Sequence, residues 1–263
     1  MLYYFKIIKV KNIYFKIIVV LSIFFVLFQC FNQNINYPKF AVVKDVIDGD
    51  TILLSNGKMV RLLGLNTPET KMNINGEWRE KESLWGKRAY VFSKDTLKNK
   101  RIRIEYDKER KDIYGRLLGY VFLGDDFINR ILLNKGLAVI DVRAPNFQYL
   151  KSLSLSFKNA KEHGRGIWSD LNIIDSKDAY RYEGEIVAVK GEVIDIYNGE
   201  ELIFFLLPFE FKFVIFKKSL PDLDLDRLLS LKGRTIEVSG MVKKYKSSHQ
   251  MVIHHLYQLE VLR

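Results

Sequence analysis

The chain has 263 residues, with 42 Lys+Arg against 31 Asp+Glu and a formal net charge of +11. At 48% hydrophobic and 28% charged residues it can bury real cores, which excludes a disordered polyelectrolyte, and 16 Gly with 5 Pro exclude collagen-like sequence. The single cysteine, Cys30, excludes a disulfide framework within one chain and any Cys-based zinc site, while the basic excess points to polyanions, either nucleic acid or a membrane surface.

In chain order, residues 1–29 carry Lys6, Lys9, Lys11 and Lys16 and no acid, ahead of the 12-residue apolar run Ile17 to Phe28. A bilayer-spanning helix takes about 20 apolar residues, so this run has the length of a signal-peptide core. Cys30 follows almost at once. The arrangement resembles a bacterial lipoprotein signal, in which Cys30 becomes the lipid attachment point; an ordinary signal peptide and an uncleaved anchor are the alternatives. All three place the remainder outside the cytoplasm, in the cell envelope or secreted, with the N-terminal segment as membrane contact. Residues 1–30 are thus a leader and 31–38 a linker.

Residues 38–175 hold 25 basic and 18 acidic side chains, whereas 176–263 hold 13 of each, so attraction to a polyanion is concentrated in the middle segment. There, Phe40 to Val46, Thr51 to Leu54 and Met59 to Leu63 show strand-like spacing, separated by Asp48-Gly49-Asp50 and Ser55-Asn56-Gly57-Lys58. Glu77 to Asn99 reads as a helix, Arg101 to Tyr106 and Leu117 to Phe122 as strands, and Asn129 to Lys135 and Tyr149 to His163 as helices with Gly136 and Gly164 at their C-caps.

Three short clusters stand out in that frame: Ile47-Asp48-Gly49-Asp50-Thr51, Arg61 through Thr70 (RLLGLNTPET), and Asp112-Ile113-Tyr114-Gly115-Arg116. Taken singly, each also reads as a turn with polar surface residues. Together and in order, with IEYDKERKDIYGRLLGYVF, NRILLNKGLAVI and KNAKEHGRGIWSD, they resemble the thermonuclease (staphylococcal nuclease) family over roughly residues 40–170. The resemblance implies a five-stranded OB-type barrel with helices packed around it and a calcium-dependent endonuclease of the hydrolase class, cleaving phosphodiesters in DNA and RNA with low sequence specificity.

Those residue types suit the reaction. A phosphodiester repels an attacking hydroxide and gathers further negative charge in its transition state, which two guanidinium forks match in shape and sign. By resemblance these are Arg61 and Arg116. Glu69 corresponds to the carboxylate that deprotonates the attacking water, and Asp50, Asn66 and the Thr67 carbonyl correspond to the metal ligands. Asn66 stands where the family has an aspartate, so one formal charge is missing; calcium should bind more weakly, or another divalent ion serve. Val139 to Pro145 lacks the tyrosines of the family's substrate-facing loop, while Tyr114 remains to line the pocket.

The C-terminal third, residues 176–263, reads as five strands: Gly184 to Ile196, Glu201 to Leu207, Phe211 to Phe216, Arg234 to Met241 and Met251 to Leu256, with a short helix at Leu223 to Leu231. Its spacing resembles a second OB-fold. Lys243, Lys244, Tyr245 and Lys246, beside His249, form either a solvated hairpin or an accessory single-strand contact. Phe204, Phe205, Phe209, Phe211, Phe213 and Phe216 alternate along the strands and read as core. The expected fold is therefore mainly β with helices (α+β), a nuclease-type barrel at 39–175 followed by an OB-like barrel at 176–263, in a monomeric chain. A non-catalytic nucleic-acid-binding protein of the envelope is the alternative to the enzyme.

Overall fold

The computed structural model describes residues 37–74, 77–80, 83–221 and 223–262. The leader and Cys30, with its proposed lipid, lie outside the described residues. Lys39–Arg263 forms one compact unit, and among the described residues no helix is long and apolar enough to cross a membrane.

Five strands make the first barrel: β1 (Phe40–Asp48), β2 (Thr51–Leu54), β3 (Met59–Leu62), β7 (Arg101–Glu105) and β8 (Leu117–Leu123). β1 pairs antiparallel with both β2 and β7, β2 with β3, and β7 with β8, while β3 and β8 close the ring as a parallel pair. Closure removes every sheet edge. Alternate residues fill the inside, with Val43, Ile52, Leu54, Val60, Leu62, Ile102, Ile104 and Val121 at most 1% exposed. β4 (Gly64–Asn66) leaves the end of β3 and pairs with β10 (Val139–Asp141); β9 (Asp126–Phe127) folds back antiparallel on the end of β8. The barrel is flanked by α1 (Leu84–Leu97), α2 (Ile128–Asn134) and α3 (Leu150–Glu162). Buried Asn129 on α2 locks the parallel closure: its Oδ1 accepts from the Val121 amide at 2.9 Å and its Nδ2 donates to the Leu63 carbonyl at 2.8 Å. Gly136 ends α2 with φ of 65°, and a Cβ there would collide with the Arg165 carbonyl, so this C-cap accepts glycine alone.

One predicted element differs. Residues 77–80 are not the first turn of a helix but β6 (Glu77–Glu80), paired with β5 (Lys71–Ile74) in a hairpin, and the helix starts only at Leu84, capped by the Ser83 hydroxyl accepting from the Gly86 amide at 3.0 Å. The Asn75-Gly76 dipeptide between the strands is the pair that two-residue hairpins favour.

The second sheet starts with β11 (Ile173–Asp175), followed by β12 (Ile186–Glu192), β13 (Asp195–Asn198), β14 (Leu202–Leu206), β15 (Lys212–Phe216), α4 (Leu225–Leu229), β16 (Thr235–Tyr245), β17 (Ser248–Ile253) and β18 (Leu259–Val261). The run 186–198 pairs with β16 through β12 and with β14 through β13; β14 pairs with β15, β15 with β17 in parallel, and β17 with β16. This is the ring order of the first barrel, and it makes the second domain OB-like. Its core contains Phe205, Phe211 and Phe213, with Phe205 stacked on Phe213 at 4.2 Å. The alternation fails for two of the six phenylalanines: Phe209 sits in a left-handed turn with φ of 60° and Phe216 ends β15, and both are exposed. Phe204 is half-buried beside Tyr197.

Candidate active site

The site is built at one end of the first barrel, where the β1–β2 turn, the end of β3 and the loop after β4 meet. Gly49, between the two aspartates of the turn, has no room for a side chain: a Cβ would stand 2.8 Å from the Ala89 Cβ and 2.9 Å from the Thr67 side chain. Helix α1 supplies that contact through Gly86, Ala89 and Ser93, buried on one face at helical spacing. Ser93 donates to the Gly49 carbonyl at 2.6 Å, and a Cβ at Gly86 would stand 2.8 Å from the Pro68 carbonyl. A stripe of small residues thus lets the helix press on both loops and hold their carboxylates in place.

Asp50 is 5% exposed and fully engaged. Its Oδ2 accepts from the Thr67 amide at 2.9 Å and the Thr67 hydroxyl at 3.1 Å, its Oδ1 from the Thr51 hydroxyl at 3.0 Å, and it pairs with the Arg61 guanidinium. Arg61 also donates to Asn66 Oδ1 at 2.6 Å, so one guanidinium bridges two of the predicted metal-ligand oxygens. Burial, opposed by Asp141 and reinforced by Arg116, brings the Arg61 pKa down to about 10, still cationic at neutral pH. Arg61 is in register with Leu118 across the parallel β3–β8 pair, which puts Arg116, two residues earlier, on the same side of the sheet. Arg116 is oriented by Asp112, whose Oδ2 accepts from Nε at 2.7 Å and whose Oδ1 accepts from the Arg116 amide at 2.9 Å. That leaves the terminal guanidinium nitrogens with no hydrogen bond among the described residues.

Glu69 stands at the exposed rim, within hydrogen-bond reach of Asp48. Partial burial and the like charge of Asp48 push its pKa up, with Arg61 and Lys243 pulling the other way. Tyr114 is 77% exposed, with the Arg116 guanidinium 5.6 Å from its ring centre, so it stands at the margin of the site.

All seven predicted site residues of the first barrel therefore fall in one region, contributed by β3, β4 and three loops. Sequence reasoning missed others. Asp48 lies in the same turn as Asp50, its Oδ1 accepting from the Gly49 amide at 2.8 Å. Asp141, on β10, accepts both donors of the Arg143 fork at 2.6 and 2.7 Å and approaches His254 Nε2 at 3.2 Å. Despite the cost of burial, His254, Arg143 and Arg61 hold Asp141 below the usual carboxylate range. Burial pushes the His254 pKa down, helped by Arg143 and Lys243 and opposed by Asp141. The charges of Asp141 and Arg143 lie in the tyrosine-lacking loop, and His254 comes from the second barrel; no local signal joins them.

The staphylococcal nuclease homologue model matches residues 59–170. The thermonuclease of Staphylococcus hyicus is 39% identical over 141 residues, covering 52% of this chain and 79% of that protein. The thermonuclease of Staphylococcus intermedius is 42% identical over 131 residues, covering 48% and 74%. The chain belongs to the staphylococcal nuclease homologue family. Endonuclease YncB of Bacillus subtilis is 35% identical over 136 residues, covering 50% of this chain and 62% of that relative. The second barrel lies beyond the stretch matched by the family model.

The family's metal can be tested against these residues. Asp50, the Asn66 amide oxygen and the Thr67 carbonyl are hard oxygen donors of the kind calcium takes. Asp50 and Asn66 already converge on one cation, the Arg61 guanidinium, so the position tolerates positive charge. Among the described residues no group of three His, Cys, Asp or Glu side chains gathers. The donor set fits a hard divalent cation held with a single first-rank carboxylate.

Proposed function

We propose that the chain is a metal-dependent nuclease hydrolysing phosphodiester bonds in DNA and RNA with low sequence specificity. The observation that carries this reading is the convergence of Arg61, Arg116 and Glu69 at one barrel end, with Arg61 paired to Asp50 and Arg116 held by Asp112. Arg61 and Arg116 grip the phosphate oxygens and stabilise the charge that grows on them as the fifth oxygen adds. Glu69 takes the proton of the attacking water as the new P–O bond forms and the ester oxygen leaves. Asp50, Asn66 and Thr67 would hold calcium, or another divalent ion that tolerates a single carboxylate; when bound, the ion supplies Lewis-acid polarisation of the phosphate. Low specificity follows from contacts directed at the phosphate, which carries no sequence information. Tyr114 flanks the bound substrate.

The apolar run Ile17 to Phe28 behind four lysines supports export, as a lipoprotein through Cys30 or as a secreted or anchored protein. Labelling with palmitate in wild type and Cys30→Ala separates these fates.

The deciding experiment incubates residues 38–263 with DNA and with RNA, in calcium and in chelator. Calcium-dependent cleavage of both is expected. Binding without cleavage in a metal-replete preparation would instead establish the non-catalytic nucleic-acid-binding protein, although a carboxylate at position 69, which repels phosphate, has no use in a pure binder.

A further inference from the structure

The second barrel reaches into the nuclease centre through one face of β16. Met241 accepts from Asn66 Nδ2 at its Sδ, 3.5 Å away, so this face of β16 is turned toward the catalytic end of the first barrel. Lys243 lies two residues further along and leaves the strand on the same side. It lines a small cleft with Asn66, Asp141, Met241 and His254, a cleft to which both barrels contribute walls. The charges that act on its ammonium are Asp141, Arg143, Arg61 and Glu69, the groups of the site and its rim. The residue keeps exposed surface, while partial burial of its ammonium among those groups lowers its pKa. No carboxylate consumes it: Asp141, the obvious partner, is taken by the Arg143 fork and His254, and among the described residues Lys243 forms no ion pair.

Electrostatic balance gives that ammonium a role. Lys243 stands with Arg61 and Arg143 as a further cation acting at Glu69 and Asp141. A nucleic-acid strand is polyanionic, and each cation facing its path adds to its attraction.

We propose that Lys243 is a substrate-binding residue of the nuclease centre, contributed by the second barrel, which holds a backbone phosphate adjoining the scissile one as a single strand crosses the seam between the barrels. The proposal rests on the nuclease reading and deepens it: the second barrel, outside the family match, completes the substrate cleft of the first. Lys243 takes no part in bond breaking, so its contribution appears in substrate affinity.

The test uses a fluorescein-labelled short oligothymidylate, measuring steady-state cleavage in calcium and binding by anisotropy in parallel. Lys243→Gln is expected to raise KM about ten-fold with kcat held within about two-fold, and to lower the salt slope of binding by about one. Lys243→Met, which keeps the apolar stem, should lose as much as Lys243→Gln, and Lys243→Arg should restore most of the affinity. Lys232→Gln removes the same charge where the ammonium is already taken up by Asp195 at 2.7 Å, and should leave KM and kcat at wild-type values. A wild-type KM in Lys243→Gln, a loss shared equally by Lys232→Gln, or a loss absent from Lys243→Met would each overturn the proposal. The failure of the nuclease reading looks different: wild type itself does not cleave. The anisotropy comparison of wild type with Lys243→Gln then still decides whether Lys243 binds the strand, and absence of binding by wild type overturns it.

Discussion

The two barrels close in the same ring order, and both insert a helix at the same point, between the third and fourth barrel strands in chain order. In the first barrel this insertion holds α1, 14 residues long, whose Gly86, Ala89 and Ser93 press onto the β1–β2 turn and the Pro68 loop. In the second it holds α4, 5 residues long, which contributes Leu228 to the core. The parallel pair that closes the first ring carries Arg61 opposite Leu118, whereas the corresponding pair in the second sets Phe213 against Met251 and Val214 against Val252. One topology thus supports a charged site only where a long helix covers the end of the barrel. Burying Asp50 and Arg61 costs desolvation, and the matched partners on the helix-braced loops offset it. The second barrel keeps an apolar interior and offers Met241, Lys243 and His254 to the centre of the first.

The contrast can be broken most forcefully at the arginines. Arg61→Ala or Arg116→Ala should lower kcat by about 10²–10³-fold, the cost of a lost transition-state donor, measured by single-turnover cleavage. No substitution of a buried apolar residue in the β15–β17 pair should touch kcat to that degree at equal folded fraction.

The turns provide the next comparison. Gly49→Ala forces a Cβ against Ala89 and Thr67 and should destabilise by about 1–3 kcal/mol, with a further loss of activity because Asp48 and Asp50 are displaced. Gly199→Ala, in the β13–β14 turn, meets its nearest neighbours only at 3.1 and 3.2 Å and should cost less and leave kcat unchanged. Denaturant midpoints of the two variants give the order.

The seam between the barrels titrates. Asp141 ionises below its unfolded value of about 4, so the stability it contributes is present above that pH and is lost as pH falls through the lower folded value. Asp141→Asn should cost about 1–2 kcal/mol at pH 7, because Arg143 faces solvent, and the gap from wild type should close below about pH 4 in thermal unfolding.

The smallest expected change sharpens the metal assignment: Asn66→Asp should lower the calcium concentration for half-maximal activity, and an unchanged requirement would remove Asn66 from the ligand set.

Both barrels are legible in the sequence, because strand alternation and turn dipeptides are local signals read within a few residues of themselves, and the seven site residues are named through the family resemblance that the three clusters carry. The hairpin at 71–80 was legible too, in Asn75-Gly76, but charged residues at helical spacing after it mask the strand. Phe209 and Phe216 escape the core because a left-handed turn and a strand end interrupt the alternation on which burial was inferred. What only the tertiary structure decided is which distant residues share the site. The parallel β3–β8 pairing brings Arg116 to Arg61, the β4–β10 pairing brings Asp141 beside it, and the packing of β16 and residue 254 brings Lys243 and His254 across from another barrel. Such neighbours follow from ring closure and from how two barrels pack, and neither is encoded in the spacing of residues along the chain. The sequence alone located the excess positive charge in its middle segment; the fold added a cation from the electrically neutral third to the place where that charge is used.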